Sequence, residues 1–186
     1  MKHLGTVTLE TPRLILRRFT LEDSETMFNN WASDDEVTRF LTWPTHTSVQ
    51  TTREIISMWI NEYTSEKCYQ WCIELRQTHE AIGAISVVHL SEEISSADIG
   101  YCIGKAYWHQ GITSEALTAI IAFLFNQVGV NRIEAKHDSN NPNSGKVMMS
   151  CGLKYEGTRL MADRNNSGIC DVALYGLIAR DYTPTI

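Results

Sequence analysis

The chain has 186 residues, of which 43% are hydrophobic and 20% charged, a composition typical of a globular protein with a single domain over residues 1–186. Its net charge of -6 argues against bulk nucleic-acid binding, which requires a basic face. The N-terminus lacks an apolar segment of signal-peptide length and no segment could span a bilayer, so we expect a cytoplasmic protein without nucleic-acid or membrane partners.

The pattern of apolar residues predicts an α+β fold. Strands are indicated by alternation, as at Tyr69, Trp71 and Ile73, and helices by apolar residues three or four apart, as at Ile120 and Leu124. In chain order the predicted elements are a strand near 13–18, a helix that begins around residue 20 or 23, a helix near 48–63, strands near 69–75, 81–90 and 96–103, a long helix that ends at Gly129, a strand near 132–138, a short helix near 142–151, and a closing hairpin of strands 154–163 and 170–179.

This order, βααβββαβαββ, predicts a mixed, mostly antiparallel sheet flanked by helices. The strand–helix–strand unit over 98–138 must place its two strands parallel, because a crossover connection joins parallel strands. Residues 33–35 are polar and predict a break after the first helix, and residues 165–168 predict the turn of the closing hairpin. We interpret the five cysteines as core thiols and expect no metal, since Cys68 and Cys72 have no second ligand pair nearby.

The loop before the long helix is the part of the sequence that most directly suggests chemistry. A strand that turns through a glycine-containing loop into a helix presents free backbone N–H groups at the positive end of the helix dipole, where phosphate binds well. Two common nucleotide loops are excluded. Ile112 stands where a P-loop would have lysine, and only Gly111 lies within the turn, whereas the dinucleotide fingerprint needs three glycines.

The pattern Trp108-x-x-Gly111-x-Thr113 resembles the acetyl-CoA pyrophosphate loop of the GNAT N-acetyltransferases, which is Gln/Arg-x-x-Gly-x-Gly/Ala. It departs from that loop at both ends. Tryptophan at the first position resembles the branch of the family that acetylates the N-termini of ribosomal proteins.

Other segments extend this resemblance over nearly the whole chain. Asn141 and Ser144, followed by Val147 and Gly152-Leu153, resemble the family's Asn-x-x-Ser…Val…Gly-Phe segment, which caps and forms the helix beside CoA. Residues 11–17 resemble its opening strand and residues 171–177 its closing one.

The resemblance implies an acetyl-CoA cosubstrate whose pantetheine arm enters between two splayed parallel strands. Backbone groups of the first of these strands would pair with pantetheine, so the side chains there are only weakly constrained. The residues expected to bind CoA are Tyr101, Cys102, Ile103, Trp108, His109, Gln110, Gly111, Ile112, Thr113, Ser114, Asn141 and Ser144.

The resemblance also implies candidates for acid–base chemistry. Asp98 occupies the position where family members usually carry Glu, and the competing interpretation is a solvated strand carboxylate. Asp163 lies where the ribosomal-protein branch has an acidic residue facing the acceptor, but a charge at the end of a hairpin is the simpler interpretation. Met148 stands where many relatives carry a proton-donating Tyr. Ser144 or water could protonate the leaving thiolate instead, or it could leave unassisted, in which case Ser144 only contacts CoA or the helix start.

The acceptor pocket is expected from the segment between the first two helices and from the closing hairpin. Trp31, Phe40 and Trp43 are candidates to line it together with Asp163, although core packing explains Trp31 and Phe40 equally well. The expected partner is an amine acceptor, either a protein N-terminus or a small molecule. A CoA-binding sensor or interaction module without turnover is the alternative, and a homodimer is left open.

Overall fold

A computed structural model describes residues 1–183; the last residues of the expected domain, 184–186, lie outside the described part. In chain order the elements are β1 (Leu9–Glu10), β2 (Leu14–Arg17), α1 (Asp23–Met27), a π turn (Phe28–Ala32), α2 (Asp35–Thr38), α3 (Val49–Glu62), β3 (Gln70–Leu75), β4 (Glu80–Ser91), β5 (Ser96–Ile103), a 3-10 turn (Lys105–Tyr107), α4 (Ile112–Phe123), a π turn (Leu124–Val128), β6 (Arg132–Asp138), α5 (Pro142–Ser150), β7 (Lys154–Asn165), β8 (Gly168–Ile178) and a 3-10 turn (Ala179–Asp181).

The predicted α+β fold and the order of its principal elements are confirmed, with two additions. The two-residue strand β1 pairs antiparallel with β2 and escaped prediction because it is too short to show alternation. The polar residues 33–35, predicted as a break, lead into helix α2. Asp34 caps this helix, since its side chain accepts a hydrogen bond from the backbone N–H of Glu36. A cap and its first turn are polar in the same way as a loop, so composition alone did not separate them.

The sheet opens between β5 and β6. Its strand order is β1-β2-β3-β4-β5-β6-β8-β7, and all neighbours are antiparallel except the parallel pair β5 and β6. That pair is joined only from Ser96 to Asp98 on β5 and from Arg132 to Glu134 on β6. Beyond this point β5 continues beside β4, and β6 continues beside β8, up to Asp138. The splay that the resemblance implied is therefore present as a wedge between the two strands.

The two faces of the sheet are covered by separate helical layers. The main core lies between the sheet and helices α4 and α5, where Leu117 and Ile120 are fully buried. Each such side chain contributes about 1.5–3 kcal/mol through removal of apolar surface from water. A smaller core lies on the opposite face and contains Trp31, Ile56 and Cys72. None of the described helices has the length and apolar character needed to cross a membrane.

Helix α4 is bounded at both ends by left-handed glycines. Gly111 has φ 72° and lies at the N-cap of the helix. Gly129 has φ 77° and ends the π turn that follows the helix. A residue with a Cβ is strained in this conformation, which explains why glycine stands at both positions. The cap predicted at Gly129 is confirmed, and so is the hairpin turn, which joins Asn165 of β7 to Gly168 of β8.

Candidate active site

The wedge between β5 and β6 leads to the loop that precedes α4. Two residues of this loop, His109 with φ 61° and Gly111 with φ 72°, adopt the left-handed conformation. Within residues 1–183, no group accepts a hydrogen bond from the backbone N–H groups of residues 109–114. Free N–H groups at a helix N-terminus, next to left-handed turns, form a concave site for an anion.

Side chains of the predicted CoA-binding loop mostly hold the loop in shape. The Trp108 indole Nε1 donates to the carbonyl oxygen of Ile103 at 3.0 Å, and the Gln110 amide donates to that of Ala106 at 2.8 Å. Ile112 is buried in the main core, so only its backbone can reach a ligand. The loop geometry supports recognition by backbone groups.

Ser114 links the start of α4 to the far end of α5. Thr113 and Ser114 are half-buried, and the Ser114 hydroxyl lies 2.9 Å from that of Ser150. The thiol of Cys151 donates to the Ser114 carbonyl oxygen at 3.3 Å, and burial raises its pKa. The half-buried Cys151 thiol therefore serves as a packing contact between α4 and the end of α5.

Tyr101 crosses the wedge and contacts helix α5. Its hydroxyl lies 3.0 Å from both the carbonyl oxygen and the side-chain oxygen of Ser144. Burial raises the pKa of the Tyr101 phenol, so it stays protonated and able to donate at neutral pH. The sequence indicated a role only for the backbone at positions 101–103, because the contact between these two hydroxyls, 43 residues apart, has no local signal. The neighbouring Cys102 and Ile103 side chains face opposite sides of β5 and belong to the smaller and the main core, respectively.

The start of α5 departs in part from what the resemblance implied. Asn141 occupies the N-cap, but its side chain makes no capping hydrogen bond. Its carbonyl oxygen instead accepts from the backbone N–H of Ser144 at 3.2 Å. Because the amide is not used for capping, it is available for another contact.

Met148 belongs to the main core. It is 1% exposed, so its side chain packs beneath α5 and does not face the wedge. A tyrosine introduced there would have to fit a filled core, which is costly. The hydroxyl groups at the wedge come from Tyr101 and Ser144 instead.

Asp98 stands where the two strands separate. It is opposite His89 of β4 and Glu134 of β6, so the three side chains form a row on one face of the sheet. No described residue donates a hydrogen bond to its carboxylate. Burial raises the pKa of Asp98 from its ordinary value of 3.8 to about 6, although the positive charge of Lys136 opposes this shift. A half-buried, unpaired carboxylate with this pKa can accept a proton near neutral pH.

Asp163 is held in an ion pair close to this row. The Lys136 ammonium donates to its carboxylate at 2.7 Å and keeps the pKa of Asp163 below its usual value. Lys136 is two residues beyond Glu134 on β6, so it projects from the same face as Asp98. The pair joins β6 to the closing hairpin, and Lys136 was not anticipated because only the pairing of distant strands reveals its neighbours.

The tip of the closing hairpin is attached to the end of α2 and to the segment that follows it. The Asn166 amide donates to the carbonyl oxygens of Thr38 and Trp43, both at 2.8 Å, and its backbone N–H donates to that of Leu41 at 3.2 Å. The Ser167 hydroxyl donates to a neighbouring carbonyl at 3.1 Å. The two segments predicted to frame the acceptor pocket are thus joined at one end.

The aromatic candidates for the acceptor pocket differ in exposure. Phe40 and Trp43 are half-buried at this junction and can offer surface to a ligand. Trp31 is 0% exposed and lies within the smaller core, which corrects the prediction that it lines the pocket. The π turn that carries Trp31 directs its indole inward, and its Nε1 has no partner among the described residues.

No cluster of metal-ligating side chains was found among residues 1–183, and all five cysteines are free thiols. The chain matches the model of the acetyltransferase (GNAT) domain over residues 13–154, which includes the wedge, the loop and helix α5. It belongs to the GNAT acetyltransferase family. It is therefore an enzyme of acetyl-CoA-dependent acetylation.

Related proteins agree with this assignment. The chain is 34% identical to an uncharacterized N-acetyltransferase, p20, of Bacillus licheniformis over 94% of its length and 98% of the relative. It is 30% identical to the ribosomal-protein-serine acetyltransferase of Escherichia coli over 74% of its length and 76% of the relative. Both comparisons include most of the GNAT domain.

Solved structures share the fold of this GNAT acetyltransferase. A structure titled RimL, ribosomal L7/L12 alpha-N-protein acetyltransferase in complex with coenzyme A, superposes with a TM-score of 0.83 and 22% identity. The match covers 92% of the present chain and 98% of the other. At this identity the likeness establishes the shared architecture.

Proposed function

We propose that this GNAT enzyme transfers the acetyl group of acetyl-CoA to the free N-terminal amine of a polypeptide, by direct attack of the amine on the thioester. The observation that carries the proposal is the position of Asp98. The carboxylate stands at the point where β5 and β6 separate, on the face that the Lys136–Asp163 pair and the closing hairpin border. An amine there would lie between a carboxylate and an open wedge.

The loop at residues 109–114 supports the proposed position of the cosubstrate. The free N–H groups of residues 109–114 offer donors to the pyrophosphate of acetyl-CoA. From there the pantetheine arm would run along residues 101–103 of β5, which pair with β4 on one side but with no described strand on the side that faces β6. A backbone N–H on this edge would then stabilise the tetrahedral oxygen of the intermediate.

The proton transfers can be assigned to groups on either side of the wedge. Asp98 would take the proton that the ammonium loses, since the carboxylate is unpaired and its pKa is raised to about 6. Asp163 is a weaker candidate because Lys136 already neutralises it. When the C–S bond breaks, the hydroxyl pair of Tyr101 and Ser144 would offer a proton to the thiolate. The thiolate of CoA is then released as the thiol.

The choice of a polypeptide N-terminus rests on the relatives. The names of the Escherichia coli relative and of the RimL structure both specify acetylation of ribosomal proteins. The acceptor side has the half-buried aromatic residues Phe40 and Trp43 next to the hairpin tip, where side chains that follow an N-terminus could pack.

The test is acetyl-CoA turnover with a panel of amines. The panel contains short peptides with free N-terminal Ser or Ala, the same peptides with a blocked N-terminus and an internal Lys, and small primary amines. Thiol release and mass spectrometry of the product are measured. We expect the acetyl group on the N-terminal amine of the free peptides. Acetylation of the blocked peptides or small amines alone would contradict the proposal.

A further inference from the structure

The loop that would bind pyrophosphate has to present its N–H groups on one side. In a planar trans peptide the C=O of one residue and the N–H of the next point in opposite directions. Among residues 1–183 all peptide bonds are trans. The direction of the Gly111 N–H is therefore fixed by whatever holds the carbonyl group of Gln110.

Arg13 holds that carbonyl. One terminal nitrogen of its guanidinium donates to the Gln110 carbonyl oxygen at 2.9 Å, and Nε donates to the Glu115 carboxylate at 2.6 Å. The other terminal nitrogen lies 3.6 Å from the point where a Cβ on Gly111 would stand. The guanidinium thus joins the loop to the first turn of α4, on the side opposite to the Gly111 N–H.

Glu115 fixes this guanidinium and would otherwise oppose an anion. It accepts from the Thr11 hydroxyl at 2.6 Å and from the backbone N–H of Arg13 at 2.9 Å, in addition to the bond from Arg13 Nε. Burial alone would raise the pKa of Glu115, yet these hydrogen bonds keep it below its ordinary value, so the group is a carboxylate. A negative charge in the first turn repels phosphate unless a cation neutralises it, and Arg13 supplies that cation.

We infer that Arg13 is a positioning residue for the cosubstrate. Its planar fork joins the Gln110 carbonyl to Glu115 and so turns the Gly111 N–H toward the pyrophosphate, without touching the phosphate itself. The inference rests on the proposed function in one respect, namely that CoA binds at this loop. Lysine should replace arginine only in part, because a single ammonium does not offer two donors in a fixed relative geometry to Gln110 and Glu115.

The experiment compares CoA binding by calorimetry in the wild type, Arg13→Ala, Arg13→Lys and the control Arg76→Ala. Arg76 has the same charge and a similar exposure, 42% against 47%, and contacts Glu10 and the Thr11 carbonyl but not the loop. We expect Arg13→Ala to weaken CoA binding about tenfold, the effect of losing a charge-assisted hydrogen bond, and Arg76→Ala to leave it unchanged. Arg13→Lys should recover less than half of the loss.

A second measurement separates this effect from a general loss of structure. The specificity constant kcat/KM is compared for acetyl-CoA and for S-acetylpantetheine, which lacks the pyrophosphate and nucleotide. Arg13→Ala should lower the constant for acetyl-CoA and leave that for S-acetylpantetheine at the wild-type value. Equal losses for both donors, or full recovery in Arg13→Lys, would overturn the inference. A wild type that does not bind CoA would instead refute the proposed function.

Discussion

On the side of the wedge proposed for the phosphates of acetyl-CoA, consecutive residues of one loop present backbone N–H groups. On the side proposed for the acceptor, single side chains come from separate strands. The backbone N–H groups of residues 109–114 have no acceptor among residues 1–183. Asp98 comes from β5, Lys136 from β6 and Asp163 from β7. The difference predicts how each side responds to substitution. The loop should tolerate changes of side chain that preserve its dihedral angles, while the acceptor side should depend on individual functional groups.

Asp98→Asn should have the largest effect, because it removes the unpaired carboxylate and keeps its shape. We expect kcat to fall by about 10²–10⁴-fold, the usual contribution of a general base, with CoA affinity unchanged. In the wild type, kcat/KM should fall as the pH drops through about 6, where Asp98 becomes protonated. Steady-state kinetics from pH 5 to 9 and CoA binding measure both quantities. If Asp163→Asn loses turnover and Asp98→Asn does not, the base lies on the closing hairpin.

The same substitution should affect stability in the opposite direction. The pKa of Asp98 is higher in the folded protein, about 6, than its ordinary value of 3.8, so the carboxylate destabilises the fold once it is ionised. This cost is absent below pH 3.8, increases between 3.8 and 6, and is complete above 6. Asp98→Asn should therefore raise Tm at pH 8 and leave it unchanged near pH 4. A lower Tm at pH 8 would contradict the assigned cause of the shift.

Gly111→Val should have the next largest effect and tests the backbone side of the comparison. A Cβ at Gly111 meets only the Arg13 guanidinium, at 3.6 Å, so the penalty comes from φ 72° and not from a clash. A left-handed β-branched residue costs about 1–3 kcal/mol, which corresponds to about 5- to 150-fold weaker CoA binding if the loop changes shape. Calorimetry with CoA measures the change in the dissociation constant.

Gly129→Val is the matched control for this prediction. Gly129 has φ 77° at the end of the π turn that follows α4, and a Cβ there would meet no atom of residues 1–183 within 4 Å. Both variants should lose a similar amount of thermal stability, but only Gly111→Val should lose CoA affinity. Equal CoA affinity in the two folded variants would show that the loop does not bind the cosubstrate through its backbone.

The contrast between one continuous loop and side chains from separate strands explains how much of the site could be predicted from the sequence. The strand, the loop at Gly111 and helix α4 are adjacent in the chain, so a local pattern indicated them and the fold class. Arg13 bonds to Gln110 and Glu115, which are 97 and 102 positions further along the chain, and Tyr101 bonds to Ser144. These hydrogen bonds depend on the tertiary fold and carry no local signal. Trp31 was a candidate for the pocket and for the core alike, because an amphipathic pattern does not tell one from the other, and the structure places it in the core.

Asn166→Ala tests the junction on the acceptor side and should have a smaller effect. The substitution removes two hydrogen bonds, one to the carbonyl group of Thr38 at the end of α2 and one to that of Trp43 in the segment that follows. Loss of bonds at an exposed site costs about 1 kcal/mol, so KM for the acceptor should rise about fivefold while CoA affinity stays unchanged. The control is Asn143→Ala, since that exposed asparagine accepts only a 3.4 Å contact from Lys146. A rise in the CoA dissociation constant would show that the two sides are not independent.

Tyr101→Phe and Ser144→Ala should have the smallest effect, because the leaving group needs little help. A thiol with a pKa of about 8.5 forms a stable thiolate, so we expect each variant to lower the saturated single-turnover rate only about threefold. The two hydroxyls lie 3.0 Å apart and would act as a unit, so the double variant should be no slower than either single variant. Rapid-quench measurements at saturating acetyl-CoA give these rates. Losses that multiply in the double variant would mean that the hydroxyls act separately. An unchanged rate with a raised KM for acetyl-CoA would make Ser144 a CoA contact without a role in proton transfer.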